Sequence, residues 1–221
     1  MSQLDFYPLL SPREVIERGA FGGSYFGEEN LSGDTQYCHL FKYHFDGVDR
    51  GLYEGEKYSP KKNKFKVRSG MNYKYWKEMK WMNEDDPYGW FEWYCKYTQG
   101  RRHSDDDRQI RRWQDFCGVN GRWRKRIYKR MIETGNWNVS PRIQQSLLHW
   151  GYEVNMQDFE QYVKLEGKEY YLTEYKGWLE GQGGGSPLDR RSPRAYFTNV
   201  HMILPIHTHH MALYEKVSEV V

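Results

Sequence analysis

Apolar residues recur at helical spacing through the middle of the chain, from about residue 72 to residue 152. In three segments they return every three or four positions, which predicts an inward-facing stripe on each of three helices. The stripes are Ile110, Trp113 and Cys117; Trp123, Ile127 and Met131; and Ile143, Leu147 and Trp150. This pattern predicts a compact helical core.

Polar residues with cap-forming side chains mark where several helices should begin. Ser11 is followed by Pro12 and Glu14, a sequence that predicts a capping box with proline at the first helical position. Ser104 and Ser140 are expected to cap two further helices, because a serine hydroxyl accepts a hydrogen bond from a free backbone N–H.

The segment from 90 to 97 is apolar on nearly all sides of a predicted helix. Its aromatic residues are Trp90, Phe91, Trp93, Tyr94 and Tyr97. A helix of this kind is usually buried, so a place in the core is one interpretation. A platform on which bases or a ligand stack is the other.

The two ends of the chain differ in character from its middle. Residues 1–71 show no sustained period, which predicts a short helix, loops and a few short strands packed on the core. Residues 153–221 predict a C-terminal extension with strands at 170–175 and 197–206 and a glycine-rich linker near 181–187. The expected fold class is therefore α+β, mainly α over residues 72–152.

Aromatic residues take the place of aliphatic ones in this composition, since the 221 residues include 9 Trp, 19 Tyr and 10 Phe. These side chains bury large areas, so the chain can form a core. Cys38, Cys95 and Cys117 are far apart, which argues against a disulfide framework or a zinc ribbon and favours a reducing cytoplasm. No stretch approaches the roughly 18 apolar residues of a membrane helix, and we expect no membrane partner.

Positive charge is concentrated between Lys96 and Arg130. This segment holds twelve Lys or Arg residues and four Asp residues, a local charge of +8 in a chain whose net charge is +3. Such a concentration predicts an anionic partner. The alternative is a solvated face paired with the protein's own acids. The expected phosphate-binding residues are Arg101, Arg102, Arg108, Arg111, Arg112, Arg122, Arg124, Lys125 and Arg126.

The segment between Arg112 and Arg122 also favours an anionic partner. Phe-Cys-Gly-Val-Asn-Gly, at 116–121, resembles in part the hairpin of helix-hairpin-helix DNA-binding modules. Asn120 stands where that hairpin has its second glycine. Two helices joined by this turn would present backbone N–H groups and guanidinium groups together.

Two groups of residues are candidates for catalysis or metal binding. Asp105, Asp106 and Asp107 fit the first turn of a helix, where negative charge is favoured; with His103 they are also weak candidates for acid/base or metal chemistry. The second group is His201, His207, His209 and His210, for which a metal site and a surface or pH-sensitive contact both stay open.

Four long motifs resemble an uncharacterised family from large DNA viruses, bacteriophages and microbial eukaryotes. They are Gly-Ala-Phe-Gly-Gly-Ser-Tyr-Phe at 19–26, Asp-Pro-Tyr-Gly-Trp-Phe-Glu-Trp-Tyr-Cys at 86–95, Gly-Arg-Arg-His-Ser-Asp-Asp-Asp-Arg-Gln-Ile-Arg-Arg-Trp at 100–113, and Ser-Pro-Arg-Ile-Gln-Gln-Ser-Leu-Leu-His-Trp-Gly-Tyr at 140–152. The resemblance implies work on nucleic acid and a location in the host cytoplasm or the virion. It implies no established activity.

Three function classes follow from these patterns. The first is a nucleic-acid-associated protein that binds the phosphate backbone, of DNA rather than RNA, through an arginine-rich helix-turn-helix-like surface. The second is a virion assembly protein whose C-terminal arm docks on neighbouring subunits and whose basic residues meet acidic protein surfaces. The third is an enzyme acting on nucleic acid or a phosphorylated substrate. No Walker loop, dinucleotide fingerprint or hydrolase elbow is present, and no cofactor is expected.

Overall fold

The computed structural model describes residues 4–27, 35–71, 73–80 and 83–168. These residues form eight α-helices and two short 3-10 helices, with no β-strand among them. The helices are α1 (Pro12–Glu17), α2 (Thr35–Phe45), α3 (Tyr73–Glu78), α4 (Trp90–Thr98), α5 (Asp106–Cys117), α6 (Arg122–Thr134), α7 (Pro141–His149) and α8 (Met156–Leu165). The helical core is confirmed. The strands expected at 170–175 and 197–206 lie outside the described residues.

The prediction of short strands within residues 1–71 is wrong for the described part of that region, which holds α1, α2 and loops. Buried amide side chains bind the loop backbone in place of a strand ladder. Asn63 accepts a hydrogen bond from the backbone N–H of Gly22 at 2.6 Å and donates to the carbonyl of Val67 at 2.6 Å. Gln145 donates to the carbonyls of Gly19 and Ala20. Satisfied in this way, buried loop backbone costs little.

Helix α4 lies at the centre of the core, as one of its two interpretations predicts. Trp90, Phe91, Trp93 and Tyr94 are all buried. Phe6 packs edge-on against several of these rings, its centroid 5.4 Å from that of Trp93. The amino-terminal segment thus covers part of α4, whose aromatic residues belong to the core.

Helices α5 and α6 pack against each other and are joined by the short turn Gly118–Gly121. Their predicted inward residues are buried, except that Trp123 is half-exposed. The turn requires glycine because the backbone passes very close to the end of α5. A Cβ at Gly121 would lie 2.6 Å from the backbone nitrogen of Cys117, and one at Gly118 would lie 2.8 Å from the carbonyl oxygen of Gln114.

Helix α8 packs against α6 and completes the same core. Phe159 and Val163 are fully buried, and the hydroxyls of Tyr128 and Tyr152 are 2.5 Å apart. Asn155 caps α8 by accepting a hydrogen bond from the backbone N–H of Asp158. The described core therefore continues past residue 152, into the region assigned from sequence to the C-terminal extension.

The caps agree with the sequence at one helix and differ at two others. Ser11 and Glu14 form the predicted capping box of α1. Ser104 does not cap α5, which begins two residues later with Asp105 at the cap position. Ser140 precedes α7 in a left-handed conformation and its side chain makes no capping hydrogen bond. The prediction for Ser104 was wrong. The prediction for Ser140 was right in position, since Ser140 is the cap residue and α7 begins at Pro141, and wrong only in the hydrogen bond expected from the serine side chain.

Candidate functional site

Three of the predicted phosphate-binding arginines are paired with acidic residues. Arg101 meets Asp86 at 2.5 Å, Arg108 meets Asp105 at 2.5 Å and Arg124 meets Asp158 at 2.8 Å. Arg124 is also buried, with its guanidinium 4.8 Å from the centre of the Tyr152 ring. Since each guanidinium already has a carboxylate partner, binding a phosphate would require it to exchange that partner.

The Asp86 pair belongs to a buried network of charges next to α4. Asp86 and Glu92 have no exposed surface, and Lys96 lies 3.3 Å from Asp86 and 2.7 Å from Glu92. Burial raises the pKa of Glu92, and the neighbouring Lys96 ammonium partly offsets that rise. With Arg101 the network holds two acids and two bases, so it is balanced in charge and joins α4 to the loop before α5.

Three other arginines lie over half-buried aromatic rings. The guanidinium carbons of Arg122 and Arg126 are 5.0 Å and 5.7 Å from the centre of Trp123. That of Arg112 is 5.4 Å from the centre of Trp150. All three distances fall within the roughly 6 Å range of cation–π attraction.

The rings beneath these arginines form a continuous row. Phe116 stacks on Trp150 with centroids 4.8 Å apart and planes inclined by 18°, and the centroid of Trp123 lies 6.0 Å from that of Phe116. We call these six residues the cation–aromatic strip: Arg112, Phe116, Arg122, Trp123, Arg126 and Trp150. The strip runs from the first turn of α6, across α5, to the end of α7.

The arginines of the strip make no ion pair with any acidic residue in the part of the chain that the structure describes, and all three are exposed. Arg112 donates to the side chain of Gln109 at 2.8 Å. A guanidinium stacked on a ring keeps its N–H donors directed outward in the plane, where they can reach an anion. The strip therefore combines unneutralised positive charge with accessible aromatic surface.

The remaining predicted phosphate-binding residues lie outside the strip. Arg102 stacks on Tyr97, 3.9 Å from the ring centre, and donates to two backbone carbonyls. Arg111 is exposed and Lys125 is half-exposed, and neither is ion-paired within the described residues. The structure thus divides the nine predicted residues into acid-paired, strip and peripheral sets.

An aromatic cleft adjoins the strip. It has a volume of about 260 Å³ and shares Arg112, Phe116 and Trp150 with the strip. A smaller extension of about 70 Å³ continues from it toward Tyr58 and Arg68. The rings of the cleft wall come from five separate parts of the chain: Phe21 and Tyr25, Trp76, Trp90 and Phe91, Phe116, and Trp150.

His149 forms part of the inner wall of the cleft. Its ring stacks on Phe21 with centroids 4.8 Å apart. The Nε2 atom is buried and has no hydrogen-bond partner within the described residues. Burial lowers the pKa of His149 to about 4, against a smaller opposing effect of the Ala20 carbonyl, so the imidazole is neutral at pH 7.

Three of the four candidate acid/base residues, His103, Asp105 and Asp106, make contacts within the fold, and Asp107 is exposed. Asp105 accepts from Arg108 and Gln109. Asp106 accepts from the indole N–H of Trp93 at 2.8 Å and from the backbone N–H of His103 at 2.9 Å. They do not converge on a cavity, Asp107 is exposed, and His103 faces Asp85 at 3.0 Å.

Metal ligands do not cluster in the described part of the chain: it contains no group of three or more His, Cys, Asp or Glu side chains that could hold an ion. The four histidines His201, His207, His209 and His210 lie outside the described residues.

No described helix is long and apolar enough to cross a lipid bilayer.

Sequence reasoning missed the cleft because its wall is assembled across long separations in the chain. Phe21 and Tyr25 follow α1, Trp76 lies in α3, and His149 closes α7. No short spacing joins them. The one available signal was that two of the long sequence motifs contain cleft residues. Phe21 and Tyr25 lie in the motif at 19–26, and His149 and Trp150 lie in the motif at 140–152.

No protein-family model, no curated protein and no solved structure matches this chain. The geometry of the strip and the cleft is therefore the basis on which a function can be proposed.

Proposed function

We propose that this protein binds single-stranded nucleic acid along the cation–aromatic strip. The observation that carries the proposal is the row of three half-buried rings with three arginines over it that have no acidic partner among the described residues. Proteins that bind single strands combine these two elements, a positive path for the backbone and aromatic faces for the bases.

The arginines supply the contact with phosphate. The segment around them has a local charge of +8, whereas the whole chain has +3. Arg112, Arg122 and Arg126 can each offer a planar pair of N–H donors to a phosphate, and binding them releases counterions from the nucleic acid. A folded cationic surface of this kind attracts any polyanion, so charge alone does not distinguish nucleic acid from an acidic protein.

The aromatic rings favour a single strand. In a duplex the faces of the bases are already stacked, whereas in a single strand they are available to Trp123 and Trp150, both half-exposed. DNA and RNA share phosphates and base faces, so the strip suits either of them. We take DNA as the first probe because of the family resemblance in the four sequence motifs.

The two other function classes receive less support. The assembly alternative depends on a C-terminal arm, most of which lies outside the described residues. The enzyme alternative needs His103 and the carboxylates at 105–107 to converge on a pocket. Instead His103 faces Asp85, Asp105 binds Arg108, Asp106 binds Trp93, and Asp107 is exposed.

The proposal is tested by comparing polyanions of similar length: single-stranded DNA, single-stranded RNA, duplex DNA and polyglutamate. We expect the single strands to bind most tightly at low salt. Replacing Trp123→Ala should weaken single-strand binding about tenfold, the cost typical of losing one base stack.

A matched control is Tyr43→Ala, which removes an exposed ring of α2 outside the strip; it should leave affinity unchanged. Circular dichroism would establish that both variants are folded. Equal binding of polyglutamate and single-stranded DNA, insensitive to the Trp123 change, would contradict the proposal.

A further inference from the structure

The aromatic cleft has the size of a site for one bicyclic ring. Its volume is about 260 Å³. An apolar cavity of about 150 Å³ holds one benzene molecule, and typical drug-sized pockets begin near 300 Å³. The cleft is therefore too large for a single six-membered ring and too small for most cofactors.

The walls of the cleft suit a flat aromatic ligand. The Trp90 and Trp150 rings have centroids 4.7 Å apart, and Phe21, Tyr25 and Phe91 lie within 5.1 Å of one another by centroid. Trp76 is half-exposed at the opening and lines both the cleft and its extension. A planar ring inserted here would meet aromatic faces on several sides.

Besides Arg112, His149 and Ser146 bring polar side-chain atoms to the cleft. His149 is neutral at pH 7, so one ring nitrogen can donate a hydrogen bond and the other can accept one. The Ser146 hydroxyl lies 2.6 Å from that of Ser69. Groups that both donate and accept match the edge of a base, which carries donors and acceptors side by side.

Both the cleft and its extension are lined by an arginine. Arg112 belongs to the cleft and to the strip. Arg68 lines the far end of the extension, exposed and 4.7 Å from the centre of the Tyr58 ring. A nucleotide whose base entered the cleft would keep its flanking phosphates near these two guanidinium groups.

We infer that the aromatic cleft is a nucleobase pocket, which receives one unstacked purine from a single strand bound along the strip. The inference rests on the proposed function and adds to it the class of group that is recognised. The cost of unstacking is small in a single strand. Aromatic stacking would supply affinity for the base, and His149 and Ser146 would contact its edge.

The test uses a single-stranded oligonucleotide of roughly 12 nucleotides that carries one 2-aminopurine among thymines, a length within the range of known single-strand sites. Stacking lowers the fluorescence of 2-aminopurine, so we expect the signal to fall when the wild-type chain binds. Two variants change the cleft in opposite directions: Trp76→Ala opens it and Ser146→Phe fills it. Both should bind about tenfold more weakly and leave the fluorescence close to that of free oligonucleotide.

The salt dependence of affinity distinguishes a failure of the base pocket from a failure of the proposed single-strand binding along the strip. Trp76→Ala and Ser146→Phe remove no phosphate contact, so the slope of log affinity against log salt should equal that of the wild type. Salt-dependent binding with unchanged 2-aminopurine fluorescence, or wild-type affinity in both variants, would overturn the base pocket and leave the strip intact. Absence of any binding at low salt would instead refute the proposed function itself.

Discussion

Two regions of this protein are built from arginines and aromatic rings, and they use them differently. Around α4 the rings are buried, and the neighbouring Arg101 is held by the fully buried Asp86. Along the strip the rings are half-exposed, and Arg112, Arg122 and Arg126 have no acidic partner among the described residues. Similar residue types therefore stabilise the fold in one region and are available to a partner in the other.

The difference follows from where the acids lie. Asp86 lies before α4 and Glu92 lies within it, and both pair with the cations of that region. On α6, the buried cation is Arg124, which pairs with Asp158 on α8. The outward residues of α6 have no such neighbour on α8. A local excess of positive charge is thus not by itself a binding surface. An arginine is available to an anionic partner only where no acidic residue of the protein already pairs with it.

The largest effect should come from removing the acid of the buried network. Asp86→Ala leaves Lys96 and Arg101 without their shared carboxylate, which should lower the free energy of unfolding by about 3–5 kcal/mol. Urea denaturation measures this loss. Asp107→Ala removes an exposed aspartate and should change stability by less than about 0.5 kcal/mol. Equal stability of the two variants would contradict a structural role for the α4 region.

Adjacent cations on α6 should behave differently. Arg124→Ala removes a buried guanidinium that binds Asp158 and covers the Tyr152 ring, so we expect a loss of about 2–4 kcal/mol. Lys125→Ala, one position away, should cost less than about 0.5 kcal/mol. Thermal unfolding of the pair measures the contrast, and a larger loss for Lys125 than for Arg124 would refute the assignment.

Lowering the pH should have a smaller effect on the stability of the fold, through His149. Because burial lowers the pKa of His149 from its ordinary 6.5 to about 4, the unfolded chain binds more protons than the folded one between these values. The neutral form of His149 therefore stabilises the fold at pH 7, and this contribution to stability falls as the pH drops below about 6.5.

The variant His149→Gln lacks this titration and tests its sign. The titration costs the wild type about 2 kcal/mol between pH 7 and pH 5, so the melting temperature of the variant should fall less than that of the wild type, by a difference of about 6 °C. The same decrease in both proteins would show that His149 is not buried in its neutral form.

Much of the fold could be predicted from the sequence because its signals are local. The stripe of Ile110 and Trp113, and the capping box of Ser11 and Glu14, depend on spacings of three or four residues. The beginning of α5 could not, because it is set by a distant contact: Asp106 accepts from the indole of Trp93.

The candidate site was predictable only in part. The charge density of α5 and α6 identified Arg112, Arg122 and Arg126, but it also included Arg124, whose partner Asp158 is 34 positions away and on another helix. The cleft was not predicted, since Phe21, Trp76 and His149 meet only through tertiary packing. Pairing of charges and closure of cavities are long-range properties that no local pattern encodes.

The most direct measurement is the salt dependence of single-stranded DNA binding for three proteins. They are the wild type, the strip variant R112A/R122A/R126A, and the control R13A/R18A/R50A, which removes three exposed but acid-paired arginines. Both variants lose the same formal charge.

Each phosphate contact contributes about 0.7 to the slope of log affinity against log salt for a single strand. The strip variant should therefore lose about 2 from the magnitude of that slope, while the control keeps the wild-type value. An equal slope in all three proteins, or an equal decrease in both variants, would contradict a strip that binds nucleic acid.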